Sequence, residues 1–141
     1  MTAAPILRPT DVASADRRPL AGRVAAALLL AAAGFELALA VGAPWGALAW
    51  GGSHAGVLPV ALRAASAVSV PVYVALGLVA LGRLGRGRLR RVILRAFSVY
   101  FGLGVLLNAA SPSWLETLVW VPMTLATAVS LWLASRPQVR V

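Results

Sequence analysis

The chain has no cysteine and no lysine, and only one histidine and four carboxylates among its 141 residues. Without cysteine there can be no disulfide, thiolate metal site or thiol nucleophile. With one histidine there is no His-based ligand set, and H-E-x-x-H is missing, as are a Ser/His/Asp grouping and a phosphate-cradling G-x-x-x-x-G-K. Charged residues make up 12% of the chain and hydrophobic ones 60%. An ordinary soluble domain carries about twice that share of charge, and a disordered chain is far less apolar. What is present is arginine: thirteen of them set against the four acids, for a net charge of +9.

So apolar a chain with so few charges is read as a membrane protein. A transmembrane helix needs about 20 mostly apolar residues, and four stretches qualify, at about 20–42, 58–82, 92–110 and 114–135. The connections are short, so neighbouring helices are expected to run antiparallel. The fold class that follows is an all-α, four-helix transmembrane bundle. Gly42-Ala43-Pro44 should close the first helix, because glycine suits a C-cap and proline cannot continue a helix. Pro59 fits the first turn of the second helix. Ser111-Pro112-Ser113 separates the third from the fourth, with Ser113 as N-cap. Pro71 and Pro122 fall inside spans, where membrane helices tolerate them as kinks. Residues 1–19 lack periodicity and are expected to form a disordered cytoplasmic tail, with a second short tail at 136–141. Arg17-Arg18 followed by an apolar run and Ala38-Leu39-Ala40 has the outline of a cleavable signal. The run exceeds the usual apolar region of about 7–15 residues, and three spans follow it, which favours an uncleaved helix.

Arginine sets the expected threading. Arg8, Arg17, Arg18 and Arg23 flank the first span, and Arg136 and Arg140 follow the last. Arg83, Arg86, Arg88, Arg90 and Arg91 fill the 83–91 connection, whereas 43–57 and 111–113 hold none. Both termini and the 83–91 loop are therefore expected in the cytoplasm, and the 43–57 loop outside, in a multi-pass protein of a bacterial inner membrane. The five loop arginines would contact anionic lipid head groups at about 1 kcal/mol each. With apolar spans on both sides, topology and lipid explain them better than nucleic acid does.

This threading gathers the remaining polar residues at the outer end. Glu36 would lie roughly 9 Å below the outer end of its helix and Arg63 about 7 Å in, at 1.5 Å per residue. Asn108 and Glu116 fall near the outer ends of the third and fourth spans. The simplest arrangement pairs Arg63 with Glu36, with Glu116 as second partner and Asn108 bridging, because a guanidinium can contact two carboxylates. Such a cluster is either an ion pair fixing helix register, a ligand or proton site open to the outside, or a set of side chains reaching to the interface. Helical spacing places Leu29, Ala32, Ala33 and Ala40 with Glu36, and Ser66, Val70, Tyr73 and Gly77 with Arg63. Phe97, Tyr100, Phe101 and Gly104 go with Asn108, and Trp120, Met123, Thr127 and Ser130 with Glu116. These faces would either line a narrow aromatic cavity or simply pack. Ala27, Ala31, Gly34 and Ala38 form a separate small-residue stripe, a face for self-association.

The outer segment 42–59, with Trp45, Trp50 and His54 among its five glycines, cannot face lipid as irregular backbone. It is expected to fold back over the mouth of the bundle, its tryptophans at head-group level. His54 is expected to be a hydrogen-bonded loop residue rather than a metal ligand, since it has no second ligand. No metal site or cofactor is called for.

From Gly42-x-Pro44-x-Gly46 through Ala49-x-Gly51-Gly52, Gly56-Val57-Leu58-Pro59 and Leu62-Arg63, the chain resembles a group of small, uncharacterised bacterial four-span membrane proteins. Asn108, Ser111-Pro112-Ser113, Glu116 and Trp120-Val121-Pro122 extend the resemblance. The Trp50-Gly51-Gly52 segment is also faintly similar to domains of unknown function with a W-G-G loop after their first span. The resemblance implies a four-helix membrane fold and no particular activity. Arginine without lysine, in an alanine-rich chain, suits a GC-rich bacterial genome. The expected function is binding of a small amphipathic ligand or a partner protein at the outer end, without evident catalytic machinery. The alternatives are a proton-coupled transporter using Glu36 and a membrane enzyme using His54 with Glu116.

Overall fold

A computed structural model describes the backbone of residues 9–137 and the side chains of residues 18–137. Four helices account for most of it: α1 (Pro9–Ala40), α2 (Val60–Ala80), α3 (Gly87–Ala109) and α4 (Trp114–Ala134). Each contains a segment long and apolar enough to cross a membrane, beginning at Arg18 in α1. Among the described residues there is no strand.

Two boundaries differ from expectation. Helix α1 begins at Pro9, so residues 9–19, expected as irregular tail, extend the first span at its N-terminal end, and Pro19 lies within the helix. Proline at the head of a helix lacks only an N–H that would be unpaired anyway; the polar, aperiodic run behind it hid the helix from a reading based on apolar spacing. Residues 1–8 and 138–141 fall outside the described residues. Helix α3 begins at Gly87, five residues before the expected position, and so takes Arg88, Arg90 and Arg91 out of the loop. The remaining ends lie close to where the sequence puts them. Gly42, at φ +99°, ends α1: its N–H reaches Leu39 O at 3.1 Å, and that of Ala43 reaches Ala38 O at 2.9 Å. This is the left-handed C-terminal motif that glycine permits. Pro59 is the N-cap of α2, and Ser113 Oγ accepts the Glu116 N–H at the start of α4.

Helices α1 and α2 form one tightly packed hairpin and α3 and α4 another; α1 against α4 joins the two, while α2 and α3 touch sparsely. Around the bundle the order is thus α2, α1, α4, α3. The larger apolar core joins Ala21, Ala25 and Leu29 of α1 to Leu76, Val79 and Ala80 of α2, Leu94 and Phe101 of α3, and Ala128, Leu131 and Ala134 of α4. Small residues let the backbones meet here: a Cβ built on Gly22 would stand 2.6 Å from Ala80 O. A smaller core of Leu39, Ala49 and Leu58 lies beneath the 43–57 loop, with Phe35 and Leu62 against it. The stripe Ala27, Ala31 and Gly34 is exposed and Ala38 half-buried.

The arginine-rich end is closed by one side chain. From the first turns of α3, Arg90 donates to Val79 O at 2.9 Å, Ala80 O at 2.8 Å and Ala134 O at 3.1 Å. These carbonyls belong to the last turns of α2 and α4, where helical N–H partners run out and the dipole favours a cation; Val79 O also accepts the Gly82 N–H at 3.0 Å. Arg90 was expected at lipid head groups with its neighbours; instead it is engaged by backbone, while Arg83, Arg86 and Arg88 are exposed and Arg91 half-buried.

Candidate functional site

At the other end the 43–57 loop forms two short 3-10 turns, Gly46–Leu48 and Trp50–Gly52. It folds back over the bundle, as irregular backbone beside lipid must. Three bonds tie it to α4 and the residue capping it. Trp120 Nε1 donates to Leu48 O at 2.6 Å, Ser113 Oγ donates to Ala47 O at 2.8 Å, and Gly51 N–H donates to Glu116 Oε1 at 3.2 Å. Trp50, Gly51 and Gly52 all have positive φ, of 54°, 73° and 67°. For tryptophan this conformation is strained, and it is the turn that aims the Gly51 N–H at Glu116. Space is equally demanding at Gly52, where a Cβ would stand 2.5 Å from that of Ser113.

Beneath this cap is a cavity of about 320 Å³. Helix α1 lines it with Phe35 and Glu36, the loop with Ala49 and Trp50, and α2 with Tyr73 alone; α3 and α4 supply Tyr100, Phe101, Asn108, Glu116 and Trp120 among others. The aromatic wall is continuous in places. Phe35 meets Trp120 edge to face with centroids 4.8 Å apart and stacks on Trp45 at 6.0 Å, and Tyr73 and Phe101 lie 6.1 Å apart. The four helix faces expected from spacing do turn inward: Ala32, Ala33, Ser66, Gly77, Phe101, Thr127 and Ser130 are buried.

Of the six residues singled out from sequence, four line the cavity: Glu36, Trp50, Asn108 and Glu116. Arg63 and His54 are not among its walls. Arg63 donates its Nε to Ala40 O at 3.0 Å, closing the last turn of α1. The expected Glu36–Arg63 pair is therefore not formed. Arg63 rises from the start of α2 beside the free carbonyls of α1, and a guanidinium satisfied by those keeps its head near the surface at less desolvation cost than a buried pair. His54 Nδ1 and Ser53 Oγ lie 2.9 Å apart within the loop, the hydrogen-bonded role expected of it. Asn108 Nδ2 donates back to Gly104 O at 2.8 Å rather than bridging charges.

The two carboxyl groups differ in their company. Glu116, buried in the first turn of α4, accepts from Gly51 N–H and from the Ser111 hydroxyl. Glu36 lies beside the Ser66 hydroxyl of α2. Yet Glu36 Oε2 and Ser66 Oγ are both buried with no hydrogen-bond partner, and Ser66 has no exposed surface at all. Sequence reasoning missed Trp120 as a strap for the loop. Its signal was there, since a buried indole N–H needs an acceptor and the glycine-rich loop has unpaired carbonyls to spare.

Compared with protein-family models, curated proteins and solved structures, the chain finds no significant match in any of the three. Its four apolar helices fit a small multi-pass integral membrane protein; what the site does has to be argued from its geometry.

Proposed function

We propose that this protein binds a small amphipathic ligand in the cavity beneath the 43–57 loop. The loop would face the outside of a bacterial inner membrane, with both termini and the arginine-rich end in the cytoplasm. The observation that carries the reading is the cavity. Its volume of about 320 Å³ falls at the lower edge of the range for small-molecule sites, roughly 300–1,000 Å³. Its walls are apolar and aromatic, with a few polar groups converging at one end, as such sites require. The strapped loop roofs it, and the strain at Trp50 is spent holding that roof in place. The threading rests on arginine: both connections at the loop end lack it, and the opposite end is rich in it. The resemblance to small bacterial four-span proteins agrees with this membrane and adds no activity.

Native mass spectrometry of protein released gently from its own membrane tests the reading. A small-molecule adduct is expected on the wild type and should be lost in Gly104→Leu. A Cβ at Gly104 has ordinary room, its nearest neighbour 3.7 Å away, so the added side chain fills space without unfolding the helix. An adduct that survives the filling, or none on either protein, overturns it. Threading is tested separately by accessibility labelling of a cysteine introduced at Arg88, which should be reached only from the cytoplasmic side.

A second reading, proton-coupled transport through Glu36, draws support from one observation. A carboxylate locked to Arg63 could not exchange a proton freely, and that lock is absent. It requires Glu36→Gln to abolish substrate-driven proton flux in vesicles while the protein still folds.

A further inference from the structure

We propose that the occupant of this cavity is a cationic amphiphile, an alkylammonium-type compound whose head group sits at Glu36 and whose chain leaves between α2 and α3 into the bilayer. The inference rests on the cavity being a ligand site and names the class of ligand.

The head group follows from what the walls contain and lack. Two carboxyl groups, Glu36 and Glu116, line the cavity, and among the described residues no arginine or histidine does. Arg63, the residue placed by sequence to neutralise them, is spent on Ala40 O. Glu116 is largely satisfied by the loop and Ser111. Glu36 is not: its Oε2 and the fully buried Ser66 hydroxyl beside it have no partner. Glu36 itself lines the cavity, so a cationic head group lodged there would meet a carboxyl group that Arg63 does not answer. The same cavity is lined by Phe35, Trp50, Tyr73, Tyr100, Phe101 and Trp120. Aromatic faces attract cations, and rings gathered round a cavity are how alkylammonium groups are commonly recognised. An anionic head would meet two carboxyl groups with no counter-charge, and a neutral one would leave the aromatic faces unused.

The path of the chain follows from the packing. Helices α2 and α3 make the sparsest contact of any neighbouring pair in the bundle, and α2 gives the cavity only Tyr73. The cavity walls on α3 include Tyr100, Leu103 and Leu107, which are also 58%, 56% and 74% exposed. The cavity thus reaches the lateral surface along α3, on a helix face that would lie in lipid. The roof, by contrast, is tied down by Trp120, Ser113 and Glu116. An apolar chain loses nothing by extending from such a gap into hydrocarbon, and the head alone needs to be enclosed.

The test uses the full chain in phosphatidylcholine nanodiscs, with quenching of its tryptophans by 11-bromoundecyl-trimethylammonium as the readout, since Trp50 and Trp120 line the cavity. Bromoundecanol and bromoundecyl sulfate serve as neutral and anionic counterparts. The cation should saturate at a concentration at least roughly tenfold lower than either counterpart, a difference of about 1.4 kcal/mol. In Glu36→Gln that preference should vanish while quenching by the alcohol stays as it was. A pyrene attached to the far end of the cation's chain should leave its affinity within about threefold if the tail projects from the gap. If the alcohol or the sulfate saturates as readily as the cation, the cavity binds amphiphiles and the cationic assignment is wrong. If none of the three saturates, the ligand site itself falls. If the cation binds but its pyrene derivative does not, the lateral gap is closed and the proposed path is wrong. The wild-type series decides the head group even if Glu36→Gln does not fold.

Discussion

The two ends of the bundle solve the same problem, polar groups in an apolar molecule, in opposite ways. At the arginine-rich end Arg90 spends its guanidinium on three carbonyls of α2 and α4, and the surrounding small residues close the core. At the loop end Arg63 does likewise for α1, but the carboxyl groups stay in a cavity, one satisfied and one not. The difference lies in what a helix offers at each terminus. Helices run out of donors for their last four carbonyls, so an arginine near a C-terminus always finds acceptors. A carboxylate finds donors only near an N-terminus or a turn. Glu116 sits in the first turn of α4, where the dipole favours it, and receives the Gly51 N–H. Glu36 sits one turn from the C-terminal end of α1, where neighbouring N–H groups are used within the helix and the dipole is unfavourable. Glu36 is thus the one carboxyl group in the described residues that the fold does not serve, and this marks it for function more clearly than its charge does.

The largest effect should come from Arg90→Ala, which strands the carbonyls of Ala80 and Ala134 and leaves that of Val79 with the Gly82 N–H alone. A loss of about 3 kcal/mol is expected, read as a lower midpoint of thermal unfolding in detergent. Arg90→Lys should recover only part of it, because an ammonium cannot span the fork of acceptors. Next, Gly22→Val should cost about 2 kcal/mol by forcing α1 away from Ala80 O. Trp120→Phe keeps the ring against Phe35 and removes the bond to Leu48 O, for a loss of about 1 kcal/mol. Its distinctive sign should be faster amide exchange in residues 46–56, with the arginine-rich end unchanged. The smallest effect should be that of Glu36→Gln, within about 0.5 kcal/mol of wild type and additive with Arg63→Leu. A large loss, or a double variant more stable than the sum of the single ones, would show that the two residues interact and that the loop end is held as the other end is.

Much of this was legible without coordinates. Hydropathy located all four spans, and the spacing of Ala32, Ser66, Phe101 and Thr127 told which face of each helix turns inward. Gly42 and Ser113 announced their caps, because a left-handed glycine and a serine N-cap act within a few residues of themselves. The loop was expected to fold back for want of any other way to satisfy its backbone. Less legible were the starts of α1 and α3, where polar and arginine-rich turns continue a helix without apolar periodicity. Least legible were the partners of Arg63, Arg90 and Trp120. Opposite charge suggested Glu36 for Arg63, and the 83–91 run suggested lipid for Arg90. Both found backbone carbonyls instead, acceptors that every residue carries and that no sequence motif marks.

From the sequence alone came the spans, their inward faces, their caps and the gathering of polar groups toward one end, because hydropathy, period and turn chemistry are local properties. Only the tertiary structure decided the order α2, α1, α4, α3, the sparse contact between α2 and α3, and which donor meets which acceptor. Those depend on how the four helices are placed about one another, a choice made by side-chain packing between residues far apart in the chain.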